Sequence, residues 1–214
     1  MLPPKTLELM RLAGLRNSVN QDFSVTPEII RAQRELSYEK MWRLAHDKKW
    51  FHIQFEDLSI VQFQNAPSPS YHLIECPLDV PPLGEFLETM KIDYRERHGT
   101  DVVDLYNEAI DTANLRRYVT PIRYDRDFRS YRPGVHPAAH LHIGLENNIR
   151  LGLPREMTPW SFLLFIIRQK YPSHWERLLE SQLAVHFQRN VRDSLPLVPQ
   201  DYWGGHDLCE IALS

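Results

Sequence analysis
The sequence predicts an α+β fold, an antiparallel β-sheet of about five to six strands with helices packed on one side. Three observations point there. Residues 50–76 contain three short runs in which apolar and polar side chains alternate, the period of a half-buried strand. Two segments open with a capping threonine followed by proline, Thr26-Pro27 and Thr158-Pro159, a combination that starts helices. The second of these continues into Trp160–Ile167, apolar all round and therefore a helix that must be buried. The 214 residues suit one domain, read as 1–214 with an N-terminal arm over 1–25 and an acidic C-terminal tail over 193–214.

Taken in order, Thr26-Pro27-Glu28 begins an amphipathic helix that runs to about residue 47, its apolar positions being Ile29, Ile30, Leu36, Met41, Leu44 and Ala45. Trp50–Glu56 sets Phe51, Ile53 and Phe55 against His52, Gln54 and Glu56. Ser59–Gln64 and Tyr71–Cys76 alternate likewise across the turn-rich 65–70, giving a meander with one face in the core. Pro81-Pro82 precedes helices near 83–91 and 101–114. Arg117–Asp125 reads as a fourth strand, with Pro121 marking an edge or a bulge. Ala139–Leu145 and Ile149–Leu153 form a hairpin, and after the buried helix a last one spans about 172–191.

Composition excludes several classes. Cys76 and Cys209 stand in unlike contexts, so neither a disulfide framework nor a thiolate metal cluster is expected. The start Met1-Leu2-Pro3-Pro4-Lys5 carries no secretory pattern, and the longest apolar run, 162–167, is far short of the roughly 20 residues of a membrane span. A cytoplasmic protein without membrane contact is the expectation. No phosphate-cradling glycine loop, nucleophile elbow or Cys-x-x-Cys pair occurs.

Charge is unevenly spread. Residues 116–155 hold eight arginines against three acids, although the chain as a whole is at −3. Arginine outnumbers lysine 19 to 6, and its planar fork suits phosphate or carboxylate. This region is either an anion-facing surface, with nucleic acid the leading partner, or a solvated loop paired with the acidic remainder.

Chemistry concentrates at His136, His140 and His142. In a strand His140 and His142 share one face, and Leu141, Ile143 and Leu145 the other. A three-residue loop, 146–148, would pair Leu145 with Ile149 and Gly144 with Arg150, putting Arg150 on the histidine face. Arg123 and Asp125 are co-facial in their own strand, and His52 and His72 lie on the polar sides of theirs. Such a face has three uses. Its histidines serve acid–base catalysis without a metal; or His140 and His142 with Asp125 or Glu146 bind a divalent metal; or the face is a polar surface hydrogen-bonded to its neighbours.

Ile122-Arg123-Tyr124-Asp125, His136-Pro137-x-x-His140-Leu141-x-Ile143-Gly144, Arg150, Thr158-Pro159-x-x-Phe162, Phe165-Ile166 and Tyr171 together resemble a family of uncharacterised bacterial proteins of similar length, a domain of unknown function. His136, Pro137, His140, Gly144 and Arg150 match that family's pattern. The position of His142 varies in it, which implies a greater share of proton transfer for His136 with His140. The Arg-Tyr-Asp followed by clustered histidines is also similar to certain small toxins of bacterial toxin–antitoxin pairs. Both likenesses imply a setting in mobile-element or phage-conflict loci.

The expected function is phosphodiester cleavage of a nucleic acid or nucleotide, as in a ribonuclease-like toxin or defence effector. His136, His140 and His142 would transfer protons, Asp125 would orient a histidine, and Arg123 and Arg150 would clamp the phosphate, with no cofactor. The alternative is a non-catalytic accessory or antitoxin-like protein. It would bind RNA, or a protein partner encoded nearby, through the arginine-rich region and the segment around Trp203.

Overall fold
Seven short strands form a single antiparallel sheet in which they lie side by side in chain order. The computed structural model describes residues 4–15, 17–92, 99–146, 149–181 and 194–209. The strands are β1 (Asn17–Val19), β2 (Ile53–Phe55), β3 (Ile60–Gln64), β4 (Ser70–Ile74), β5 (Ile122–Arg126), β6 (Ala139–Ile143) and β7 (Ile149–Gly152). Seven α-helices occur among the described residues: α1 (Pro4–Ala13), α2 (Pro27–Glu35), α3 (Tyr38–Asp47), α4 (Leu83–Thr89), α5 (Gly99–Thr112), α6 (Pro159–Lys170) and α7 (Pro172–Glu180). None is long and apolar enough to cross a membrane.

The fold is α+β as expected, but the sheet has seven strands instead of five or six. The additional strand comes from the stretch read as an N-terminal arm. Its α1 buries Leu9, Met10 and Ala13 in the main core, and β1 pairs Val19 with Ile53 at the sheet edge. Three residues are too few to display a period, so β1 left no alternation to detect.

Helices also pack on both faces, not on one. On the first face Ile53, Phe55, Val61, Phe63, Tyr71, Leu73, Ile122, Tyr124 and Leu141 meet residues of α1, α6 and α7. On the second, α3 and α5 cover only the β3–β4 end, where Met41, Trp42, Ala45, Tyr106 and Ile110 cluster with Ile60 and Ile74. The remainder of that second face is polar. The helix expected over 27–47 is broken in two: Leu36 is extended and Ser37 restarts the chain as α3. The break turns Met41, Trp42 and Ala45 onto the second face, and Trp42 Nε1 donates to the Leu58 carbonyl.

Pro121 precedes β5, where its missing N–H removes no ladder bond. β5 is an interior strand between β4 and β6, so neither an edge nor a bulge is needed. The segment read as an acidic tail also packs in part: Val198 is buried, and the buried Asp207 accepts from Tyr131 Oη and from the backbone N–H groups of Gly134 and Gly204. The last helix is described to Glu180, and its expected continuation over 182–191 lies outside the described residues.

Candidate active site
Two polar rows cross the open part of the second face. In β5, Ile122 and Tyr124 point into the core, so Arg123 and Asp125 point away; in β6, Leu141 points in and His140 and His142 away. Strand register then aligns these side chains. One row reads Gln62, His72, Arg123, His142, Arg150 across β3 to β7, and the next reads Gln64, Ser70, Asp125, His140, Gly152.

The hairpin register differs from the expected one. Ile143 pairs with Ile149 and His142 with Arg150, which leaves a five-residue connection, 144–148, two residues longer than the expected loop. Gly144 leaves the strand at φ +94°, a conformation that favours glycine, and its N–H donates to the Pro121 carbonyl at 2.9 Å. Leu145 and Ile149, expected on the core face, are exposed. A shift of two residues preserves the face, so Arg150 still stands beside His142.

The rows floor a cavity of about 820 Å³ that all six candidate residues line: Arg123, Asp125, His136, His140, His142 and Arg150. α2 contributes one wall, with Gln33 donating to the Gln62 side chain at 2.7 Å. Five arginines and two aspartates line the space, an excess of positive charge. His140 and His142 are only 2% and 3% exposed; they form the floor and do not present an open surface.

His140 Nδ1 is 2.8 Å from the Pro137 carbonyl oxygen, which can only accept, so Nδ1 donates and Nε2 carries the lone pair. Burial lowers the His140 pKa to about 4, and the ring is neutral at pH 7. His142 Nε2 lies 3.0 Å from His140 Nε2 and 3.4 Å from Asp125 Oδ2. Asp125 is further held by Arg123 Nε at 2.7 Å and by the Ser70 hydroxyl at 2.6 Å. Burial alone would raise the Asp125 carboxyl; the hydrogen bonds from His142 and Ser70 and the Arg123 charge outweigh it and keep it well below the usual carboxylate range.

Sequence reasoning missed Ser70. Its hydroxyl donates to Asp125 and sits 2.9 Å from His72 Nε2, linking the two groups. Only the β4–β5 register brings it there, and it ends a turn-rich segment with no motif of its own. Desolvation lowers His72 to about 4, with Arg123 acting in the same direction. His52 belongs elsewhere: its Nδ1 accepts the Phe63 backbone N–H at 3.1 Å and its ring packs against Phe23 and Phe63. Glu146 lies exposed in the turn after β6, outside the group formed by Asp125, His140 and His142, whose ligand atoms fall within 4.8 Å of one another.

A family model for an uncharacterized conserved protein, DUF2290, matches residues 16–196. The chain belongs to the DUF2290 family. The matched span of this DUF2290 chain runs from just before β1 to beyond α7 and includes every residue of both polar rows. No curated protein and no solved structure matches it.

Proposed function
We propose that the cavity hydrolyses phosphate esters, with a nucleic acid or nucleotide as substrate. The observation that carries this reading is the row in which Arg123, His142 and Arg150 stand side by side, next to Asp125 and His140, in a cavity rich in arginine. Arg150 has an exposed guanidinium and no ion-pair partner among the described residues, so it meets the phosphate. Arg123 is committed through Nε to Asp125 and acts mainly by fixing that carboxylate. The attacking oxygen is activated where His140, His142 and Asp125 converge.

His136 supplies the proton to the leaving group. Its ring stands 4.9 Å from that of His140, and its Nδ1 is buried without a hydrogen-bond partner. Desolvation and then the Arg150 charge lower its pKa, which makes its protonated form a stronger acid but a smaller fraction at pH 7. The likeness of this stretch to small toxins supports a setting in a bacterial conflict system.

The test is cleavage of end-labelled RNA and DNA by the purified chain. His140→Ala should lower turnover by about 10²–10⁴-fold. Arg150→Ala should lower kcat/KM by about 10–100-fold, mostly through KM. Binding of RNA with no cleavage, unaffected by His140→Ala, would overturn the enzymatic reading and return the chain to an accessory role.

A further inference from the structure
We propose that Asp125, His140 and His142 bind one divalent transition-metal ion through a carboxylate oxygen and two imidazole Nε2 atoms. This deepens the hydrolytic reading, on which it rests for the use of the ion but not for its binding.

The spacing of the donors is the first support. Ligands about 2.0–2.2 Å from a common ion stand about 2.8–3.1 Å apart across a cis edge of an octahedron, or about 3.3–3.6 Å apart in a tetrahedron. The two Nε2 atoms are 3.0 Å apart, and His142 Nε2 is 3.4 Å from Asp125 Oδ2. Orientation is the second. The Pro137 carbonyl fixes the His140 ring by its far nitrogen and leaves Nε2 bare, the outer-sphere arrangement found behind metal-ligating histidines. Arg123 and Ser70 fix the carboxylate in the same way. For ligation, His142 Nε2 gives up its hydrogen bond to His140 and turns its lone pair to the ion.

The donor set selects the ion. Two imidazoles and one carboxylate suit zinc, iron(II) or a neighbouring first-row ion, whereas magnesium and calcium prefer oxygen donors alone. Three protein ligands leave coordination positions open toward the cavity, where a hydroxide and a substrate phosphate can enter. With the ion in place, Arg123 and Arg150 make the centre strongly positive, and these two anions balance it. His136 remains outside the ligand set and available for proton transfer.

Elemental analysis of the intact chain purified without chelator tests the proposal, together with zinc titration of the stripped protein and the visible spectrum of its cobalt(II) form. One ion per chain is expected, with a zinc-dependent rise in Tm. Zinc affinity should fall by at least about tenfold in Asp125→Asn, His140→Ala and His142→Ala, and stay within about twofold of the parent in His136→Ala. If an alanine variant fails to fold, Asp125→Asn and the cobalt spectrum of the unaltered chain still decide the matter. Absence of stoichiometric binding, or binding that survives Asp125→Asn undiminished, would overturn the proposal. Bound metal without cleavage would sink only the hydrolytic reading, and undiminished cleavage by the metal-stripped chain would sink only the use of the ion in that reaction.

Discussion
His52 and His140 both have pKa values lowered to about 4 by burial, yet they serve different ends. His140 turns a bare nitrogen toward other titratable groups, whereas His52 uses its lone pair to accept the Phe63 N–H inside an aromatic cage. His52 therefore folds neutral. Because its folded pKa lies below the ordinary value of 6.5, its contribution to stability is complete above pH 6.5 and is lost as pH falls toward about 4. The full effect is on the order of 3 kcal/mol. His52→Asn keeps an acceptor near the Nδ1 position and removes the titration. Denaturant midpoints of that variant should vary less between pH 6.5 and 4 than those of the parent; an identical pH dependence in the two would contradict this role.

Among the elements, α6 and β7 carry specific local demands. The Thr158 side chain accepts the Ser161 N–H at 3.2 Å, and the Ser161 hydroxyl accepts the Thr158 N–H at 2.9 Å, closing both ends of a capping box. Thr158→Ala should cost about 1 kcal/mol in urea denaturation. In β7, a Cβ on Gly152 would stand 3.2 Å from both Pro137 Cγ and Trp203 Cζ3, so this strand end accepts only glycine without displacement. Gly152→Val should cost about 1–3 kcal/mol and expose Trp203, read as a red shift in its fluorescence. Cap and proline made the start of α6 legible in the sequence. The packing of Trp203 on Gly152 was not legible, because it joins residues 51 positions apart with no shared pattern.

For the whole molecule, alternation was enough to separate the apolar from the polar side of β5 and β6, with Arg123 and Asp125 on the polar side of one and His140 and His142 on that of the other; Arg150 in β7 joins them because the two-residue shift of the hairpin keeps its face. Sequence could not say that β4, β5 and β6 are neighbours, which is what unites His72 and Ser70 with that set. Nor could it show that α3 and α5 would cover one end of the polar face and leave the other as a cavity, since that depends on the break at Leu36 and on the order of the meander. The central claim is that this uncovered part of the face receives a phosphate beside the histidine centre. Anomalous diffraction from crystals soaked in tungstate, a phosphate mimic that scatters strongly, tests it most directly. The account predicts a tungsten peak within hydrogen-bonding reach of the Arg150 guanidinium and next to His140 and His142, lost in Arg150→Ala. Tungstate bound only elsewhere on the molecule, with this cavity vacant at saturating concentration, would contradict it.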